Sequence, residues 1–367
     1  MMDKALNIEE YKAEFEALLA LMLTQNASDL HCSAGVSPVL RIHGELIEQT
    51  VLSSLNKESL ACMAEAVLSA DQYQHLMSQR SFDLGYSNKN GDRFRLNFYF
   101  ERGCLAFAIR SLHNSFATFE QLRLPSQLES IVDLKDGLVL VTGTTGSGKS
   151  TTLASIINKI NETRACHILT IEDPIEFIHT NNRAVVHQRE VGDDVLTFAD
   201  AIRSAMREDP DVMLLGEMRD LETMHAAITA AETGHLVFAT LHTNDAVGVI
   251  DRLIGMFPGD LQNTVRQQLS MSLRAVVTQT LVRTVDDVGR VPINEIVMVN
   301  SAVSNLIREH SSSQIRSVME TGRAQGNQTL EFALAQRVKD KLITRDKALQ
   351  LTTRKEQFEN ALRVLNR

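Results

Sequence analysis

No pair of cysteines in this sequence has the Cys-x-x-Cys spacing. Cys32, Cys62, Cys104 and Cys166 stand far apart, which argues against a zinc ribbon and against a dithiol redox motif. They are expected to be reduced, buried small hydrophobes of a cytosolic protein. Tryptophan is absent, and aromatics make up 5%. No segment comes near the ~20 consecutive apolar residues that a membrane-spanning helix needs. The opening stretch MMDKALNIEEYKAEFEALLALMLTQN is acidic where an export signal is basic, and it reads as an amphipathic helix. Positive charge is also short: 37 Lys+Arg stand against 46 Asp+Glu, a net −9. On that balance a nucleic-acid partner held by phosphate contacts alone is not expected. Residues 301–367 depart from it, with 12 Lys+Arg against 7 Asp+Glu. Such a tail either docks on an acidic partner or membrane surface, or is a set of solvated helix faces. The remaining composition is that of an ordinary soluble protein, and 367 residues suffice for two or three domains with a well-buried core.

Residues 1–111 mix helix and strand. After the opening helix, Val39, Leu40, Ile42, Leu46 and Ile47 fit strands around a turn at His43-Gly44. A helical stretch over 57–78 follows. RFRLNFYF then alternates, with Phe94, Leu96, Phe98 and Phe100 on one face and Arg93, Arg95, Asn97 and Tyr99 on the other. CLAFAIRSL is a second strand, joined through Glu101-Arg102-Gly103. A linker is expected over 112–124. From Gly137 the order becomes strand, glycine loop, helix, strand, the alternation of a parallel α/β sheet. An ATPase core is expected over 125–280, with DVMLLGE and HLVFATLH as further strands. A mostly helical region is expected over 281–367, where Leu330, Leu334, Val338 and Leu342 recur at spacing four.

The run Gly143, Thr144, Thr145, Gly146, Ser147, Gly148, Lys149, Ser150 matches GxxxxGK[ST], and Thr151 follows it into the helix. Its glycines let backbone N–H groups converge on phosphate oxygens without Cβ clashes. The helix behind it points a positive N-terminus at the same charge. In such a loop Lys149 neutralises the β and γ phosphates and Ser150 ligates Mg²⁺. Nucleoside triphosphate binding follows, but not its purpose. Hydrolysis needs one carboxylate to orient water and another to support the magnesium shell. Two strand ends supply candidates: Glu172, Asp173 and Glu176 in HILTIEDPIEFIH, and Glu217 in DVMLLGEMRD. Gly216 holds the place where most P-loop proteins have an Asp.

TIEDPIEF, LLGEMRD and AETGHLVFATLHTND together resemble the secretion ATPase superfamily. SDLHCSAG, GNQTLE and SNLIRE narrow the resemblance to pilus-retraction ATPases of the PilT type. It spans the whole chain. It implies an α/β fold, with an N-terminal α+β (PAS-like) domain, a RecA-like P-loop ATPase domain and a helical C-terminal region. It also implies that Glu172 is the general base, and that Glu217 supports Mg²⁺ and the water from the Walker B position. His235 and His242 match a histidine box that senses the γ-phosphate or passes its loss to the subunit interface. Arg203 and Arg207 match another box, and either brace the acidic strand ends or face solvent. Arg93, Arg95, Arg102 and Arg110 fall where the family carries arginines, some of which reach a neighbouring subunit's nucleotide. Arg95 and Arg110 are the preferred pair. The bland alternative for each is a polar sheet face.

The function so implied is a hexameric, Mg²⁺-dependent ATPase driving pilus retraction and twitching motility. It would work at the cytoplasmic face of the inner membrane, on a pilus platform protein and alongside other pilus ATPases, with peripheral membrane association through those partners. The tetracysteine motif and longer N-terminal extension usual in assembly and secretion members have no counterpart here. Ser304 departs from the family, which carries an arginine at that place in SNLIRE. Two other readings stay open. One is an accessory nucleotide-binding regulator of a pilus motor, against which Lys149, Glu172 and Glu217 weigh. The other is a DNA-processing translocase, against which the acidic balance weighs.

Overall fold

The computed structural model describes residues 2–42, 44–112, 116–286 and 289–366. The expected turn residue His43 and the linker residues 113–115 lie outside the described residues. The chain divides into two compact units, Met1–Ser115 with Pro174–Ile178, and Phe116–Asp173 with His179–Arg367.

The first unit begins with α1 (Met2–Thr24) and then builds a six-stranded sheet. Its strands are β1 (Asp29–Cys32), β2 (Val39–Ile42), β3 (Glu45–Glu48), β4 (Ser81–Ser87), β5 (Arg93–Glu101) and β6 (Cys104–Leu112). They run antiparallel in the order β3-β2-β1-β6-β5-β4. The expected helix over 57–78 is two helices, α2 (Lys57–Val67) and α3 (Ala70–Gln79). Leu68 is extended, and the Ser69 side chain accepts from Gln72 N to cap the second helix. Arg102 and Gly103 turn β5 into β6, both with positive φ, the two-residue geometry that matches strand twist. Alternation on β5 buries Phe94, Leu96 and Phe98 against Phe15, Leu19 and Met22 of α1, while Arg95 stays partly exposed.

The second unit opens with the short helix α4 (Glu129–Val132). It then lays down β7 (Gly137–Thr142), α5 (Lys149–Thr163), β8 (His167–Glu172), β9 (Val185–Glu190), α6 (Phe198–Ala205) and β10 (Val212–Leu215). There follow α7 (Leu221–Glu232), β11 (Leu236–Leu241), α8 (Gly248–Gly255), α9 (Gly259–Ser272), β12 (Leu273–Arg283) and β13 (Arg290–Met298). The seven-stranded sheet has the order β13-β12-β7-β11-β10-β8-β9. All its pairs are parallel except β12–β13. Both faces are covered: Leu138 and Leu140 of β7 enter one apolar layer with α7, while Val139 and Val141 enter the other with α5. The expected boundary at 280/281 is corrected, because it falls inside β12, and β13 extends the sheet past it.

Among the described residues five α-helices follow: α10 (Ser301–Arg308), α11 (Ile315–Thr321), α12 (Leu330–Lys339), α13 (Arg345–Leu351) and α14 (Lys355–Leu365). Leu342 lies beyond the end of α12 yet packs in the same cluster as Leu330, Leu334 and Val338. GNQTLE ties this region to the sheet. Gln328 exchanges two backbone hydrogen bonds with Ile296, Asn327 Oδ1 accepts from Met298 N, and Thr329 caps α12. All four cysteines are free. Only Cys32 is buried, so the expectation of four buried thiols is corrected: the other three sit at partly open positions. No helix among the described residues is long and apolar enough to cross a membrane.

Candidate functional site

The parallel order of β7, β11, β10 and β8 brings the carboxyl ends of four strands to one edge, where α/β sheets hold ligands. The glycine loop leaves β7 there. Gly143 has φ +143°, and a Cβ on it would lie 2.3 Å from Gln279 O and 2.6 Å from Ser147 Oγ. Gly148 ends the loop in the left-handed region and begins α5. Only glycine meets both demands, positive φ and contact with a neighbouring strand.

Gln279 of β12 clamps this loop. Its Nε2 donates to Ser147 O at 2.7 Å, and its Oε1 accepts from Thr152 Oγ1 at 2.8 Å and from Asn294 Nδ2 at 2.9 Å. One strand residue earlier, the Thr278 and Thr142 hydroxyls share a hydrogen bond of 2.7 Å at the root of the loop. Lys149 Nζ donates to Gly143 O at 2.9 Å and Thr144 O at 3.1 Å. Ser147 Oγ is buried without a hydrogen-bond partner among the described residues. Thr144, Thr145, Gly146 and Ser150 are exposed, and Thr151 is half-buried. An open, polar rim over a buried ammonium is what a triphosphate requires.

Glu217 follows β10. Its Oε1 lies 2.9 Å from His242 Nε2, and its Oε2 lies 2.8 Å from Arg219 Nη2. Burial pushes the Glu217 carboxyl up. The Arg219 hydrogen bond and charge outweigh that, with the charges of His242 and Lys149, and hold the group below its ordinary value. Lys149 and Glu217 therefore feel one another across this edge. Gly216, in place of the usual Asp, has a packing reason: a Cβ there would lie 3.3 Å from Glu172 Cα. Glu172 ends β8, and its Oε1 accepts from Thr170 Oγ1 at 2.7 Å and Gln188 Nε2 at 3.3 Å.

The sequence-derived residues do not all gather here. Glu176 falls in the first unit, in the Pro174–Ile178 segment, where Arg93 Nη2 donates to Ile175 O at 3.0 Å. His235 lies away from this edge: it precedes β11 and His242 follows it, so a whole strand, roughly 20 Å at 3.3 Å per residue, separates them. Its Nδ1 meets Ala230 O at 3.0 Å. Arg203 faces solvent and pairs with Asp200 and Glu222, each at 2.7 Å. In the first unit, Arg95 and Arg110 are cross-strand partners on β5 and β6. Arg95 Nε lies 3.5 Å from Asp83 Oδ1, and Arg110 Nε lies 2.9 Å from Asp29 Oδ1. Sequence reasoning missed Arg219, Thr170, Gln188 and Gln279. Arg219 stands inside the quoted LLGEMRD, two residues from Glu217, and that spacing was the available signal. Thr170 likewise opens TIEDPIEF, two residues before Glu172, whereas Gln188 and Gln279 lie outside every motif.

The family model described as Type II/IV secretion system protein matches residues 99–366. The "Twitching motility protein" of Neisseria gonorrhoeae is 43% identical over 90% of this chain and 89% of its own length. The "Type IV pilus retractation ATPase PilT" of Pseudomonas aeruginosa is 42% identical over 93% of this chain and 98% of its own. A crystal structure of the pilus retraction motor PilT with bound ADP superposes with a TM-score of 0.86 at 41% identity, over 94% of this chain and 98% of that one. With its glycine loop, its paired carboxylate strand ends and this breadth of match, the chain belongs to the Type II/IV secretion system protein family.

Proposed function

We propose that this chain is an ATP-hydrolysing motor for type IV pilus retraction, acting as a homo-hexamer. The observation that carries this reading is the meeting of Lys149, Glu217 and His242 at one sheet edge, in a chain 42% identical to a pilus retraction ATPase over 98% of that protein's length. Lys149 would bind the β and γ phosphates. Glu172, its carboxylate oriented by Thr170 and Gln188, would align water on the γ-phosphate. Ser150 and Glu217 are hard oxygen donors and fit magnesium, which prefers one or two protein oxygens beside phosphate oxygens. When bound, that ion would supply Lewis-acid stabilisation of phosphoryl charge. His242, bonded to Glu217, would register the loss of the γ-phosphate as a change in Glu217's partners.

Arg95 and Arg110 would act in trans, stabilising charge on the nucleotide of a neighbouring subunit. Neighbouring subunits would then be drawn together by ATP and released with its phosphate, so that firing around a ring pulls. The chain would work beside the inner membrane through a pilus platform protein. The test is turnover by purified protein with ATP and Mg²⁺. Lys149→Ala is expected to lose nucleotide binding, whereas Glu172→Gln keeps binding and loses turnover by a factor of about 10² or more. Near-normal hydrolysis by the Gln variant would remove Glu172 from its role. Unchanged pilus number and withdrawal after deletion of the chain would remove retraction.

A further inference from the structure

The loop that follows His242 is held from far away in sequence. It runs through Thr243, Asn244, Asp245 and Ala246 into α8. Asp245 Oδ1 accepts from Val247 N at 3.1 Å, which shapes the loop locally, and lies 3.2 Å from Arg316 Nη2. Arg316 belongs to α11, in the helical C-terminal region. The same Nη2 lies 3.6 Å from Glu295 Oε1 on β13. The other oxygen, Glu295 Oε2, accepts from Ala246 N at 3.1 Å. Two successive loop residues are thus anchored, Asp245 through its side chain by Arg316 and Ala246 through its backbone by Glu295. Gly248 allows the closeness, since a Cβ there would lie 2.7 Å from Asp245 Oδ2.

Glu295 is only 4% exposed, and its Oε1 has no hydrogen-bond partner among the described residues. Burial raises its pKa, the Ala246 N–H and Arg316 oppose the rise, and Asp245 and Glu331 add to it. Two carboxylates therefore face each other with one guanidinium between them. Removing that cation leaves a buried charge uncompensated beside Asp245. The cheapest relief is movement of the exposed partner, Asp245, and with it the loop that begins at His242. Glu295 also stands opposite Thr278 across β12–β13, and Thr278 bonds Thr142 at the root of the glycine loop. The anchor thus rests on the strand pair that clamps the phosphate site.

We propose that Arg316 is a positioning residue for the His242–Glu217 pair: by bridging Asp245 and Glu295 it fixes the loop behind His242 and ties it to the C-terminal helices. This rests on the ATPase reading above. The test is steady-state ATP hydrolysis by the wild-type chain and by Arg316→Ala, Arg316→Lys, Asp245→Asn and the Arg316→Ala/Asp245→Asn double variant. Affinity for a fluorescent ATP analogue and melting temperature are measured alongside. Arg316→Ala is expected to lower kcat about five- to tenfold, with KM and analogue affinity within about twofold, because the loop starts from His242, which bonds the Glu217 carboxylate and not the phosphate cradle. Arg316→Lys should recover part of that loss, and the double variant should be no slower than Arg316→Ala, since both changes break one contact. Three results overturn the proposal: an unchanged kcat, losses that multiply in the double variant, or a fall in analogue affinity equal to the fall in kcat. Should Arg316→Ala fail to fold, Arg316→Lys and Asp245→Asn decide by the same kcat-against-KM split. A wild-type chain without turnover instead overturns the ATPase reading itself, and the proposal with it.

Discussion

His179 shows how one side chain couples acid to stability. It is 8% exposed, its ring stacks on Phe116 with centroids 4.4 Å apart, and its Nδ1 has no hydrogen-bond partner among the described residues. Burial lowers its pKa from 6.5 to about 4. The unfolded chain takes up a proton near pH 6.5 and the folded chain does not until about pH 4. The stability tied to the neutral ring is therefore complete above pH 6.5 and is lost as the pH falls through that window. The loss reaches on the order of 3 kcal/mol. Thermal melts at pH 7, 6 and 5 should fall less steeply for His179→Phe than for the wild type, and equal slopes would refute the assignment. Nothing in the sequence singled out this histidine, because its burial comes from Phe116, 63 positions away, packing over it. Lys149 and Glu217 were legible for the opposite reason: loop and strand end are local patterns. His235 and His242 belong to one motif, yet seven positions along a strand put them at opposite ends of β11.

At the scale of elements, the phosphate loop is only half made by its own sequence. GTTGSGKS gives the turn its glycines, but β12 holds it in place through Gln279, which is 2% exposed. Gln279→Ala would leave Ser147 O without that donor and the buried Thr152 and Asn294 groups without their acceptor. Each buried polar group so stranded costs about 1–3 kcal/mol. The expected outcome is a lower melting temperature together with ATP affinity weakened about tenfold, read by titration with a fluorescent analogue. Unchanged affinity would mean that the loop holds its shape without the clamp. Neither β12 nor β13 was recognised from sequence. Both are nearly continuously buried, so the two-residue alternation that revealed β5 is missing. The edge strand β9, with its polar VVHQRE, escaped for want of any apolar pattern. The helical region was legible because α12 has one apolar face, and even there the face ran past the helix end to Leu342.

For the whole molecule the question is whether one chain completes another's site. Arg95 and Arg110 lie directly opposite on β5 and β6, an arrangement that repels unless something offsets it. Asp83 and Asp29 offset it in part, while the side chains stay 38% and 64% exposed. Two exposed cations kept side by side at some cost are suited to an anion brought by another molecule. In the proposed ring each active centre joins the Lys149 of one subunit to the arginines of the next. Arg95→Ala should then lose turnover while keeping ATP affinity, and Lys149→Ala should lose both. Neither ring has a complete centre. Equal mixing with subunit exchange pairs an Arg95→Ala glycine loop with a Lys149→Ala neighbour at about one interface in four, so close to a quarter of wild-type hydrolysis should return. The rate should rise from near zero as exchange proceeds and follow the product of the two fractions. Arginines that act only within their own chain give no recovery at any ratio, because every subunit then carries one defect. A chain that hydrolyses ATP equally well as a monomer at high dilution would remove the need for a neighbour altogether.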